Sequence, residues 1–185
     1  MAELAPMSVE NSSIPVDLFA SKKHPGLPRG DLGFSDSSGN IVFRIIKSSS
    51  HQKSLLDSTG NPVITISRHH DGSWQGFKGN GGNQKELIFR AKRTVKKCTS
   101  AELEVSLVGE NVGEESIYVL KFKIQGSPFQ KSCTIYQDKF IIAQTSLMYK
   151  LRQICASRSR FRLTIFPGPI DHALIVAMVV VFLNV

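Results

Sequence analysis

The sequence predicts a mainly β domain of the α+β class, in which short antiparallel strands enclose one apolar C-terminal helix. Three observations carry this. A turn of the form D-S-[ST]-G-N occurs twice, at Asp36–Asn40 and Asp57–Asn61, about 21 residues apart and flanked each time by apolar residues. Strand-length segments recur between Gly-, Asn- and Asp-rich connections. The chain then closes on DHALIVAMVVVFLNV, residues 171–185, whose run from Ala173 to Leu183 is apolar on every side.

At 185 residues, 41% hydrophobic and 21% charged, the chain is long enough for one core and one domain. Residues 1–13 are polar and read as an irregular lead-in, which Pro15, Pro25 and Pro28 extend to near Arg29. Residues 14–185 form the domain. Its first unit is a hairpin around Asp36–Asn40, where Gly39 and Asn40 can take the positive φ of a tight turn. The second hairpin sets Leu55-Leu56 against Val63–Ile66. Further strands are expected at 73–78, 86–92, 101–107, 117–124, 131–137, 140–145 and 160–166. Glu102-Leu103-Glu104-Val105-Ser106-Leu107 alternates as a strand with one buried and one wet face does. Ser146 to Ile154, with Leu147, Leu151 and Ile154 at helical spacing, is expected to make a helical turn or two.

The tail decides between a membrane anchor and a core element. A spanning helix needs about 20 apolar residues to cross roughly 30 Å of hydrocarbon, whereas 171–185 reaches only ~22 Å. It also lacks interfacial Lys, Arg, Trp or Tyr. Asp171, just after Pro169, is placed to cap a helix over 171–184. A helix apolar all round that is not in lipid is enclosed by protein, so Leu174, Ile175, Met178, Val179 and Phe182, with Asp171 as cap, are the expected structural core.

The order and spacing of several segments carry a resemblance. They are Phe34-Ser35-Asp36 with Gly39–Arg44, Leu55-Leu56-Asp57 with Gly60-Asn61-Pro62, and Trp74 to Gly79. Phe129 to Tyr136, Ile141 to Gln144, and Phe161 to Val185 with Pro167 and Asp171 complete the set. In these the sequence resembles the plant LURP-one-related proteins, from about Ile14 to the end. The resemblance implies a fold akin to the tubby C-terminal domain and to phospholipid scramblases: a closed barrel of about twelve antiparallel strands around a central hydrophobic helix. It also implies a link to plant defence. The chain departs from the pattern at His172, where tyrosine is common, and at Phe182–Val185, where relatives often carry acidic residues.

Functional expectations rest on charge. The formal net charge of +8 favours anionic partners. Arg158, Arg160 and Arg162 alternate along an expected strand, so their guanidiniums share a face at roughly 6.6 Å spacing and can fork onto phosphates. Lys92, Arg93, Lys96 and Lys97 form a second cluster, in an expected loop, and Lys22, Lys23 and Arg29 a third. Solvated faces of a basic barrel are the plainer reading of all three. Tubby-like domains bind phosphoinositides through cationic patches, so the resemblance implies a non-enzymatic module on anionic phospholipids, acting as a membrane-tethered regulator. A nucleic-acid-associated transcription regulator is the first alternative, although no recognition helix or aromatic RNA-binding motif is present. A tail-anchored or scramblase-like membrane protein is the second.

Catalysis has little support. His69 and His70 are adjacent and point to opposite faces if on a strand, so they do not chelate one metal together. Cys98, Cys133 and Cys155 lie far apart without zinc or disulfide spacing and read as reduced thiols, Cys133 as a buried one. Gly79–Asn83 lacks the following G-K-[ST] of a phosphate loop. Trp74 reads as a core or rim anchor. No cofactor or metal is expected. The N-terminus has no basic-then-apolar leader, and the expected setting is a monomer in the cytoplasm, peripheral at the plasma membrane or nuclear, and not secreted.

Overall fold

The structure is a computed structural model that describes residues 14–79, 86–97, 99–109, 118–148 and 160–184. Twelve strands run in chain order: β1 Val16–Ser21, β2 Leu32–Ser35, β3 Ile41–Lys47, β4 Gln52–Leu56, β5 Pro62–Arg68 and β6 Trp74–Lys78. They continue with β7 Leu87–Lys96, β8 Ala101–Val108, β9 Tyr118–Ser127, β10 Ser132–Gln137, β11 Phe140–Leu147 and β12 Arg160–Ile165, before helix α1, His172–Leu183. Each strand pairs antiparallel with its sequence neighbour, and β1 pairs with β12 along Val16↔Ile165 to Ser21↔Arg160. The sheet is therefore a closed barrel, which leaves no edge strand open for pairing with another chain.

The repeated sequence turn builds two of the hairpins in the same way. Asp36 N–H donates to the Asn40 carbonyl at 2.9 Å, and Asp57 N–H does the same to Asn61 at 2.9 Å. Each aspartate carboxylate accepts from the backbone N–H four residues on, at 2.9 Å in both. That bond is the main cause that holds the Asp36 carboxyl below its usual pKa, whereas Asp57 is lowered first by the Thr59 hydroxyl, donating at 2.7 Å, and then by the Asn61 N–H. Gly39 and Gly60 take φ of 86° and 90°, a conformation that glycine adopts without a Cβ clash. Asn40, expected to share the positive φ, does not need it. His69 to Ser73 makes a third turn of this form, with Gly72 at φ 81°.

Strand alternation places one face of every strand inward. Leu103 and Val105 are fully buried while Glu104 is exposed. The helix fills the barrel: Ala173 to Phe182 are ten consecutive buried residues. Of the expected core, Leu174, Ile175, Met178, Val179 and Phe182 lie inside. Asp171 does not; it is exposed at the rim and acts as the cap, its carboxylate accepting from Ala173 N–H at 2.8 Å. No helix among the described residues is long and apolar enough to cross a membrane.

Three local expectations change. The stretch read as an irregular lead-in to Arg29 contains β1, in which Leu18 and Ala20 face inward and close the barrel. Ser146 and Leu147 belong to strand β11 and not to a helix, while 149–159 lie outside the described residues. Lys92, Arg93 and Lys96 belong to strand β7 and not to a loop. Residues 1–13 lie outside the described residues.

Candidate functional site: a lysine-lined end of the barrel

Strand direction sorts the ends of the barrel. The helix begins at the end where β1 and β3 start, and finishes at the end where β3 stops and β4, β10 and β12 start. The first end carries acids: Asp36 and Asp57 in their turns, Asp138 in the β10–β11 turn and Asp171 at the helix cap. The second carries cations: Lys22 just after β1, Lys47 at the end of β3, Lys53 in β4, Lys131 just before β10 and Arg160 at the start of β12. The barrel is thus polarised along its axis, with Lys78 and Lys139 as exceptions at the first end and Asp31 and Asp71 at the second.

The basic residues singled out by sequence do not gather into one patch. Arg160 and Arg162 lie on β12 and Lys92 and Arg93 on β7, five strands apart round the barrel. Arg162 is paired with Asp17 at 3.7 Å, and Asp17 also accepts from the Thr164 hydroxyl at 2.5 Å. Lys92 points outward and sits across from Glu104, whereas Arg93 turns to the other side and is partly buried. Burial, then the charge of Arg68, lowers the Arg93 pKa. Lys97 is exposed and Lys96 ends β7, and Arg158 lies outside the described residues. His69 and His70 are in the β5–β6 turn, with His70 tilted against His51 at 6.3 Å between ring centroids. Trp74 is buried with the Arg68 guanidinium 5.6 Å from its ring centroid.

A cavity of about 470 Å³ opens at the cationic end, beside the end of the helix. Four lysines line it: Lys22, Lys47, Lys53 and Lys131. Leu32, Ile45, Phe161, Val180 and Leu183 form its apolar wall. Lys47 and Lys53 are direct cross-strand partners, a like-charge pairing that costs stability in a sheet. Lys53 is pulled below its usual pKa by burial first, then by the charges of Lys22, Lys47 and Lys131. Lys131 is lowered by burial, then by Lys22. Among the described residues no carboxylate lies within ion-pair distance of any of the four, which they share with most of the described lysines and arginines; Arg44, Lys78, Lys123 and Arg162 are the described cations that have one.

The floor of the cavity is the helix C-terminus, which carries about half a negative charge. Asn184 satisfies it: its side-chain amide donates to the Val180 carbonyl, and its Oδ1 accepts from Lys53 Nζ. Lys131 is set in place by a buried hydroxyl. Thr145 Oγ1 donates to the Lys131 carbonyl at 3.0 Å and accepts from Cys133 N–H at 2.8 Å, with Lys131 itself at φ 54°.

Lys47, Lys53 and Lys131 escape a reading of basic clusters because they are scattered in sequence and meet only through strand register. Lys47 and Lys53 did leave a signal, since they flank the polar segment SSSHQ at the turn of one hairpin. Two other hollows are less suited to a ligand. One, of about 420 Å³, lies by Phe140 and Pro167 at the acidic end, and the other, of about 550 Å³, is an open polar groove between Asp71 and Glu104.

Comparison with known proteins agrees with this architecture. The family described as LURP-one-related matches residues 16–183. The Arabidopsis thaliana protein LURP-one-related 7 is 59% identical over 171 residues, covering 92% of this chain and 90% of that one. LURP-one-related 15 of the same plant is 28% identical, covering 90% of this chain and 78% of its own. An X-ray structure of an Arabidopsis thaliana protein superposes with a TM-score of 0.63 at 26% identity, covering 93% of this chain and 91% of that one. With the family matched across all twelve strands and the whole helix, the chain belongs to the LURP-one-related family.

Proposed function

We propose that this protein is a non-enzymatic module that docks on anionic phospholipid, phosphoinositides foremost, as a membrane-tethered regulator in plant defence signalling. The observation that carries the reading is the convergence of four lysines on one cavity at one end of the barrel. Four ammonium groups that have no carboxylate partner among the described residues repel one another and lower the stability of the fold. A protein keeps such an arrangement where an anion completes it. The outer basic rows support the reading less, because Arg162 and Lys123 already have carboxylate partners at 3.7 and 3.1 Å. In this reading, Arg160, Lys97 and Arg93 add long-range attraction, and the lysine end makes the contact.

The test is flotation of the full chain with phosphatidylcholine vesicles, with and without a minor fraction of phosphoinositide, across a salt series. Binding should require the anionic lipid and weaken steeply with salt, each lysine near the surface contributing about 1 kcal/mol. A Lys47→Gln, Lys53→Gln, Lys131→Gln variant should lose most of it, and an Arg158→Ala, Arg160→Ala, Arg162→Ala variant should lose less. Equal binding by wild type and the lysine variant would sink the proposal, and so would preference for duplex DNA over vesicles in the same buffer.

A further inference from the structure

The lysine end is more than a charged rim. A patch that only touches headgroups needs exposed cations, yet Lys53 and Lys131 are partly buried and sit beside an apolar wall. The cavity of about 470 Å³ falls within the roughly 300–1,000 Å³ of small-molecule sites. Its surface follows the usual pattern of such sites, mostly apolar with a few convergent polar groups. Phe161 and Val180 are buried, at 2% exposure each, while Leu32 and Leu183 are partly buried nearer the mouth. The lysine stems extend the apolar surface beneath their charged heads.

The helix end would ordinarily repel an anion placed over it. Here Asn184 occupies the Val180 carbonyl and presents Lys53 on its other side. The floor therefore meets an entering anion with an ammonium.

We infer that the cavity accepts a single-chain phosphorylated amphiphile, with its phosphate among Lys22, Lys47, Lys53 and Lys131 and the first carbons of its chain against Leu32, Ile45, Phe161 and Leu183. The inference rests on the reading of the lysine end as the anion site and adds the apolar part of the ligand. The same chemistry is offered by a free alkyl phosphate and by a chain of a bilayer lipid drawn into the mouth.

Isothermal titration of the full chain with inorganic phosphate, octyl phosphate and octyl glucoside separates the contributions. Octyl phosphate should bind roughly tenfold or more tighter than either of the others, because each buried methylene adds about 0.8 kcal/mol. Affinity along a butyl-to-dodecyl phosphate series should rise and then level off when the cavity is full, which needs no variant and so no assumption about folding. Leu183→Ser should remove the chain advantage and keep phosphate binding; Lys53→Gln with Lys131→Gln should weaken every phosphate ligand. If inorganic phosphate binds as tightly as octyl phosphate and depends on the lysines, the amphiphile inference fails while the anion site stands. If octyl phosphate binds independently of the lysines, the inference also fails. If no phosphate ligand responds to the lysine substitutions, the anion site itself is wrong. Vesicles with and without lysophosphatidic acid then tell a lipid source from a free one: a Leu183→Ser defect seen on these vesicles as well as with octyl phosphate assigns the chain to bilayer lipid, and a defect seen with octyl phosphate alone assigns it to a free amphiphile.

Discussion

Lys53 Nζ donates to Asn184 Oδ1, two residues 131 apart in sequence, and so ties the fourth strand of the barrel to the end of the helix it encloses. The contact joins the element that closes the fold to the cluster that carries the charge. Any change in the state of Lys53 is therefore felt at the helix terminus.

The first prediction concerns pH. Burial first and neighbouring lysines second hold Lys53 below the 10.5 of a free lysine, and Lys131 is lowered as well. The unfolded chain then binds more protons than the folded one as pH approaches 10.5 from below. The charged lysines destabilise the fold in full at neutral pH, and the penalty is relieved as pH rises through their folded values. Lys53→Met should raise the urea midpoint at neutral pH, and its advantage over wild type should shrink towards about pH 10. A variant less stable than wild type at neutral pH would mean that the Asn184 contact outweighs the repulsion.

How much of this was legible in the sequence differs by element. The Asp36 and Asp57 turns were readable because their chemistry is local, carboxylate and glycine within five residues. The helix was readable because residues 173–183 are apolar on all sides and too few to span a bilayer. β1 was hidden: its partners are β2 and, some 140 residues away, β12, and only Leu18 and Ala20 announce it. The candidate site was hidden for the same reason. Lys131 reaches Lys53 through barrel closure and through Thr145, and neither relation leaves a mark in local spacing.

A second prediction tests packing where a glycine makes room for a buried ring. Gly76 on β6 is the cross-strand partner of Phe89 on β7, and a Cβ at Gly76 would lie 2.0 Å from the Phe89 ring. Phe89 is fully buried, so its ring cannot simply swing into solvent. Gly76→Ala should cost about 1–3 kcal/mol by overpacking, and Gly76→Ala with Phe89→Leu should cost less than the sum of the two single changes. Additive losses in urea unfolding would show that the ring and the glycine are not coupled.

Cys133 supplies a third. Burial pushes its thiol up to about 11, with a smaller opposing effect from the Thr145 hydroxyl. A thiol that stays protonated inside the barrel is a poor nucleophile. In a Cys98→Ser, Cys155→Ser background, alkylation of native protein should proceed only as fast as the barrel opens and should accelerate in urea. The folded thiol has the higher pKa, so the unfolded chain ionises first above its ordinary 9.0. Stability from this group is then present below that value and is lost as pH climbs towards 11, a decline that Cys133→Ala should abolish.

The last prediction asks what holds the helix. At 12 residues it is short, and an isolated helix of that length is marginal in water. Its cap is a single carboxylate bond, Asp171 Oδ1 to Ala173 N–H at 2.8 Å, on an exposed residue. Its body has ten consecutive buried side chains, with Phe182 wholly inaccessible. If the barrel wall fixes the helix, Asp171→Ala should cost about 0.5–2 kcal/mol, and Phe182→Ala about 3–5 kcal/mol. The second loss is a large share of the roughly 5–15 kcal/mol that stabilises a domain. Urea unfolding with matched m-values decides the order. Equal losses would mean that helix initiation limits the fold; the greater loss at Phe182 would mean that the helix is stable because the wall surrounds it.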